Sequence, residues 1–289
     1  MRVLVTGVSG AIGSAVARSL LRRGHTVVGT VSAGSRSQAP DGVEVLPVDL
    51  FEAGALAEAA RSADAAVHAA SSNDERAGEL DHIVVDDLIE AFEGTGKPLV
   101  YTSGLWLHGN AGAAPSTEES PFDPPMVVAW RPAVEDRLLA AASRGVRTVR
   151  IRAGLVYGGG RGYVPMLLAP QDGEGGKAVR HFGDGSNRWA LVHADDLGDL
   201  YALAVEKAPA GSVYLGVAGE PVRVRDAAGV VAGRYGVQVQ GWDPEDARQY
   251  WSVMVDAFLL DQAASSAKAR AELGWAPSRP GLLEELAAA

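Results

Sequence analysis

Cysteine is absent from the 289-residue chain. That excludes disulfides, thiolate nucleophiles and cysteine zinc sites, and it leaves the redox compartment open. No apolar run is long enough to span a bilayer, and the first residues run straight into strand character with no signal peptide before them. A cytoplasmic protein with no membrane partner is the expectation. Positive charge is scarce: 26 Lys and Arg against 36 Asp and Glu leave a net charge of −10, which argues against a nucleic-acid or anionic-membrane surface. Six histidines are present, and no His, Asp or Glu spacing suggests a metal site. There is no internal repeat and no low-complexity tract. What is there is ordinary for a globular chain, 47% hydrophobic and 21% charged. The length suits one large α/β unit, or a nucleotide-binding domain with a smaller lobe.

The first fourteen residues are the most informative. Arg2-Val3-Leu4-Val5 has strand character and breaks into Thr6-Gly7-Val8-Ser9-Gly10-Ala11-Ile12-Gly13. A helical pattern follows, with Ile12, Val16 and Leu20 on one face, and Gly24 closes it. Strand, glycine turn and helix form the setting of a dinucleotide-binding loop. Gly7 lets the chain turn off the strand, Gly10 lets a pyrophosphate approach the backbone, and Gly13 lets the helix pack on the sheet. The first amides of the helix, with its dipole behind them, face the phosphates.

Downstream, strands are expected at 27–31, 43–48, 65–70, 98–103, 149–154 and 213–217, with helices around 56–60, 81–92, 131–144, 195–207 and 226–235. The alternation means crossover units and a doubly wound parallel sheet. The connection 104–125 is long and polar, as functional loops are. The stretch 158–185 is rich in glycine, carries Pro165 and Pro170, and is expected to leave the sheet. An apolar stretch at 249–260 and helices at 264–273 and 282–286 end the chain.

Several pieces in this order resemble the extended or atypical short-chain dehydrogenase/reductase superfamily, the NAD-dependent epimerase/dehydratase-like enzymes. They are Thr6-Gly7-x-x-Gly10-x-x-Gly13, Asp49-Leu50, Val67-His68-Ala69-Ala70 and Arg152-Ala153-Gly154-Leu155-Val156-Tyr157-Gly158. Gly183 to Trp189, Val192 to Leu197, and Leu273-Gly274-Trp275-x-Pro277 continue the likeness. The resemblance implies an α/β, Rossmann-type doubly wound parallel sheet binding NAD(P), with a small C-terminal lobe over a small-molecule substrate. Residues 1–157 would form the cofactor domain, 187–217 would return to it, and 158–289 would be mostly lobe. It further implies Thr6, Gly7, Gly10, Ala11, Ile12 and Gly13 at the pyrophosphate, Asp49 and Leu50 at the adenine, and Ala69 and Ala70 along the cofactor. A monomer or homodimer is expected.

Enzymes that prefer NAD usually hold the adenine ribose with a carboxylate at the end of the second strand. Here that region reads Thr30-Val31-Ser32-Ala33, without one. Ser32 and Arg36 suit a 2′-phosphate, so NADP is the expected cofactor, with NAD the alternative. Arg36 as a plain solvated cation is the competing reading.

The resemblance also exposes a gap. The superfamily's chemistry uses a tyrosine and, four residues on, a lysine, with a serine or threonine near the end of the fifth strand. Aligned on Glu135, the lysine position is Arg131 and the tyrosine position Val127; aligned on Leu107-His108-Gly109, the serine position is Gly104. Arg131 can still bind the ribose but is no proton donor at neutral pH. Three outcomes stay open: hydride transfer with a proton from elsewhere, non-redox isomerase, lyase or cyclase chemistry over a structural cofactor, or a dinucleotide sensor without catalysis. The nearest candidate donors are Ser103, His108 and Tyr157. Trp106 and Arg188, with Ser103 and Tyr157, are candidate substrate contacts, and the many tryptophans near the expected pocket suggest an apolar or aromatic substrate.

Overall fold

The computed structural model describes residues 1–32 and 38–288; Arg36, expected at the 2′-phosphate, lies outside them. β1 (Arg2–Thr6) passes through the glycine turn into α1 (Ala11–Arg22). Then come β2 (Thr26–Val31), β3 (Glu44–Pro47), α2 (Ala57–Ser62), β4 (Ala65–His68), α3 (Ala77–Phe92) and β5 (Pro98–Gly104). The long connection contains 3-10 turns at Leu105–His108 and Met126–Val128, and α4 (Arg131–Ala142) and β6 (Arg147–Ala153) follow it. β7 (Leu155–Tyr157), α5 (Tyr163–Leu168), β8 (Gln171–Gly173), β9 (Gly176–Phe182), β10 (Arg188–Trp189) and β11 (Leu191–His193) come next. The rest is α6 (Ala194–Lys207), β12 (Ser212–Gly216), β13 (Val222–Arg223), α7 (Val224–Tyr235), β14 (Gln238–Trp242), α8 (Pro244–Trp251), α9 (Met254–Phe258), α10 (Ala267–Leu273) and α11 (Leu282–Ala288).

Seven strands form one sheet in the order β3-β2-β1-β4-β5-β6-β12, every pair parallel. A parallel sheet needs cover on both faces, and its strands must be apolar throughout. Val3, Leu4 and Val5 meet that demand, all fully buried. Val3 and Val5 face a core shared with α1 and α6, whereas Leu4 faces a second core under α2, α3 and α4. Each such side chain contributes about 1.5–3 kcal/mol by leaving water. The strand order reverses between β1 and β4, which opens a crevice at the carboxyl ends of these strands.

The stretch 158–185 leaves the sheet, but it is not irregular: it holds α5, β8 and β9. Pro165 does not block α5, because it lies in the first turn, where its amide has no intrahelical acceptor. β8, β9 and β14 form a small sheet, and β10 with β13 a two-stranded one. Together with α5, α7, α8 and α9 they enclose a third core around Phe182, Trp189, Trp242 and Phe258. The apolar stretch 249–260 takes in the end of α8 and all of α9, separated at Ser252, whose φ is +49°. α10 departs from a simple lobe. Ala269, Leu273 and Trp275 join the core beneath α1 and α6. Trp275 Nε1 donates to the Asp196 carbonyl at 2.8 Å, and the Asp196 carboxylate accepts the amides of Ser278 and Arg279, both at 3.0 Å. Among the described residues, no helix is long and apolar enough to cross a membrane.

Candidate functional site

The crevice is lined first by the glycine turn. Gly7 has φ +66°, and a Cβ there would lie 2.6 Å from the Ala70 Cα. At Gly13 a Cβ would lie 2.2 Å from the Gly7 carbonyl oxygen. So side chains are excluded where the turn meets the end of β4 and where α1 meets the turn. Gly10 is the N-cap of α1, with no side-chain cap and no acidic residue in the first turn. The amides of Ala11, Ile12 and Gly13 therefore face an anion site with no competing carboxylate. A pyrophosphate fits this cradle. Thr6 Oγ1 accepts the amides of Ala69 (3.1 Å) and Ala70 (3.3 Å) and lies 2.7 Å from His68 Nδ1. His68 Nε2 lies 3.2 Å from Asp81, which also accepts the Tyr101 hydroxyl. These buried groups tie the turn to the end of β4, and His68 belongs to them as a core residue.

Beyond the end of β3, Asp49 is exposed and accepts the Phe51 amide at 3.0 Å, while Leu50 packs at the edge of the α2–α4 core. The Arg76 guanidinium lies 3.7 Å from the Phe51 ring centroid. Ser32 is exposed at the end of β2.

Arg131, the first residue of α4, reaches the carboxyl end of β5. Its Nη1 lies 3.1 Å from where a Cβ on Gly104 would be. Its Nε is buried and has no hydrogen-bond partner among the described residues. Glu135, one turn along α4, does not pair with it. A cation with a buried, orphaned donor at the mouth of the crevice is suited to ribose hydroxyls or a phosphate.

Ser103 and His108 lie behind this mouth. Side chains alternate along a strand, so Ser103 shares the α4 side of β5 with Tyr101. Its hydroxyl donates to Glu135 at 2.6 Å. Glu135 also accepts from Arg152 Nη2 at 2.6 Å and Nε at 3.0 Å, with Arg150 at 3.7 Å. Arg152 Nη1 lies 3.2 Å from His108 Nε2, and His108 Nδ1 lies 3.2 Å from the Pro121 carbonyl. Burial and the Arg152 cation hold the His108 imidazole below its ordinary value, so it is neutral at neutral pH. Burial alone would raise the Glu135 carboxyl, but bonds to Arg152 and Ser103 overcome it and hold the carboxyl low. Ser103 and His108 are thus occupied inside one buried network, 2% and 4% exposed.

Tyr157 is likewise committed. Its hydroxyl donates to the Pro280 carbonyl at 2.7 Å, and burial with nearby carboxylates pushes it up to about 12. Arg188 holds Asp261 through two bonds, of 2.8 and 2.7 Å. Trp106 is half-buried, with Phe258 edge-on at 5.6 Å and Tyr163 at 6.3 Å between ring centroids.

The sequence profile of the NAD dependent epimerase/dehydratase family matches residues 3–215. The chain belongs to this family. An uncharacterized protein of Schizosaccharomyces pombe is 32% identical over 99% of this chain and 98% of its own. The 2-alkyl-3-oxoalkanoate reductase of Stenotrophomonas maltophilia is 31% identical over 78% of this chain and 73% of its own. Among solved structures, the UDP-glucose 4-epimerase of Thermus thermophilus in complex with NAD superposes with a TM-score of 0.81 at 26% identity, over 99% of this chain and 97% of that one. The chain is thus a Rossmann-type member of the extended short-chain dehydrogenase/reductase superfamily, whose members bind NAD(P).

Beside Trp106, two residues past Gly104, the fold places a residue that no sequence motif marks. Tyr163 opens α5, is half-buried, and packs against Trp106 and Phe258. No spacing in the chain connects it to Arg131. Its only sequence signal was a tyrosine ending a run of glycines, which reads as loop.

Proposed function

We propose that the protein is an NADP-linked oxidoreductase that reduces a small organic substrate at the carboxyl edge of the sheet, as a monomer or homodimer in the cytoplasm. The observation that carries this reading is the Arg131 guanidinium over Gly104, its buried Nε unpartnered among the described residues, with the glycine cradle at the other end of the crevice. Gly7, Gly10, Ala11, Ile12 and Gly13 would hold the pyrophosphate, Asp49 and Leu50 the adenine side, Ala69 and Ala70 the middle, and Arg131 the nicotinamide ribose. When bound, the reduced dinucleotide supplies hydride. Ser103 and His108 would act through Glu135 and Arg152, holding α4 against β5 and β6 and so fixing Arg131. The rings of Trp106, Tyr163 and Phe258 would give the substrate an apolar or aromatic wall. NADP follows from the missing carboxylate at the end of β2, with Ser32 there and Arg36 four positions on in the sequence expected to meet a 2′-phosphate. The reductase among the relatives and the NAD complex of the epimerase support the class of chemistry.

The test is incubation with NADPH or NADH and a panel of ketones, aldehydes, imines and enones, following cofactor absorbance. NADPH should be consumed and bound more tightly than NADH. Equal affinity for both would remove the NADP assignment. A second reading, non-redox chemistry over a structural cofactor, is favoured by Val127, which has no proton to give. Substrate turnover at constant cofactor absorbance would establish it instead.

A further inference from the structure

The proposed reduction needs a proton for the substrate oxygen, and the position that would supply it is Val127. The chain has seven tyrosines. Four are buried with hydroxyls already donated: Tyr101 to Asp81, Tyr157 to the Pro280 carbonyl, Tyr201 to Thr102 and Tyr214 to Glu272. Tyr235 and Tyr250 are 56% and 77% exposed. Tyr163 alone is half-buried, with a hydroxyl that has no hydrogen-bond partner among the described residues. Its ring is held between Trp106 (6.3 Å) and Phe258 (5.4 Å). Trp106 follows Gly104 by two residues, and Gly104 is where the Arg131 guanidinium rests. We propose that Tyr163, carried in by the lobe, is the catalytic proton donor of this site, with Arg131 as its charged neighbour.

This inference rests on the oxidoreductase reading and adds to it. In the step, the carbonyl carbon gains hydride from the reduced dinucleotide, which is oxidised, and the carbonyl π pair moves to oxygen. The Tyr163 O–H bond breaks, its proton passes to that oxygen, and the phenolate is reprotonated from water. Burial raises the Tyr163 phenol, and the Arg131 charge opposes that rise. The hydroxyl is therefore protonated at neutral pH, as a donor must be, and the phenolate left behind is favoured by the Arg131 charge. The segment that carries Tyr163 is also tied to the cofactor end of the crevice: Arg161 Nη1 donates to the Ser9 carbonyl, inside the glycine turn, at 2.9 Å.

The experiment uses the full chain labelled with tyrosine carrying 13C at Cζ, the Tyr163 signal being assigned through Tyr163→Phe. Saturating NADP+ should shift that signal, and in NADPH-dependent reduction Tyr163→Phe should lower kcat by about 100-fold while leaving the NADPH Kd within about twofold. If NADP+ binds and the signal stays still, or if Tyr163→Phe keeps full kcat, the proton-donor assignment is overturned while the oxidoreductase reading stands. If neither NADP+ nor NAD+ binds, the oxidoreductase reading fails and takes this inference with it.

Discussion

Three polar side chains converge on one buried carboxylate. Glu135 takes bonds from Ser103 and Arg152 and has Arg150 beside it, all but closed to solvent. Removing its charge leaves two buried guanidinium groups uncompensated. Glu135→Gln should therefore cost roughly 3 kcal/mol in urea unfolding. The pH dependence has a definite sign. The folded carboxyl is held below its ordinary value of 4.5, so its contribution is present above that pH and lost as pH falls through the folded value. The difference between wild type and Glu135→Gln should be constant near neutrality and shrink below about pH 4.5. Gly10 is the opposite kind of residue, important for having no side chain. Its φ of −76° and ψ of 171° are open to any residue. Gly10→Val should thus fold, with only the nearby Gly7 carbonyl, 3.2 Å from the new Cβ, crowded. Its NADPH affinity in a fluorescence titration should fall by about 100-fold, or roughly 2.8 kcal/mol. Unchanged affinity would remove the pyrophosphate from this turn.

Among elements, those nearest the glycine turn were the most legible. β1 and α1 announce themselves because a continuous apolar run, a glycine turn and a helical stripe fall within one short window, each a local signal. β5 was legible as a strand, but the destination of its hydroxyls was not. Period-two alternation sends Thr102 towards Tyr201 of α6 and Ser103 towards Glu135 of α4, and only the packed helices show which side is occupied. α5 was hidden for a different reason. Glycines and Pro165 argue against a helix when read locally, yet the proline falls in the first turn, where it does no harm. The tie between Arg161 and Ser9 gives this element a direct test. It is an exposed contact, so Arg161→Ala should change global stability by no more than about 0.5 kcal/mol. Amide exchange across 158–168 should nevertheless quicken, because the segment loses its tie to the glycine turn. Exchange that stays unchanged would mean that packing against Trp106 and Phe258 is sufficient to hold it.

For the whole molecule, the order of β-α units predicted a doubly wound parallel sheet, and the family match and the epimerase superposition agree with it. The C-terminal stretch was less legible, because helix periodicity says that an apolar face exists and not which core receives it. α10 and Trp275 return to the sheet side, so the molecule is not laid out in simple succession. Trp275 is 2% exposed and hydrogen-bonded to the start of α6. Trp275→Ala should cost about 3–5 kcal/mol of unfolding free energy, measurable as a lower urea midpoint. A loss below about 1 kcal/mol would mean that the α10 contact is peripheral. The same contact sets a timetable for biosynthesis. The strand that completes the large sheet ends at Gly216, but the side chains that seal its α6 face arrive with Ala269, Leu273 and Trp275. During translation the half that carries the large sheet stands with an open seam until those residues leave the ribosome, which makes this interval the one in which a nascent chain would most need a chaperone's cover.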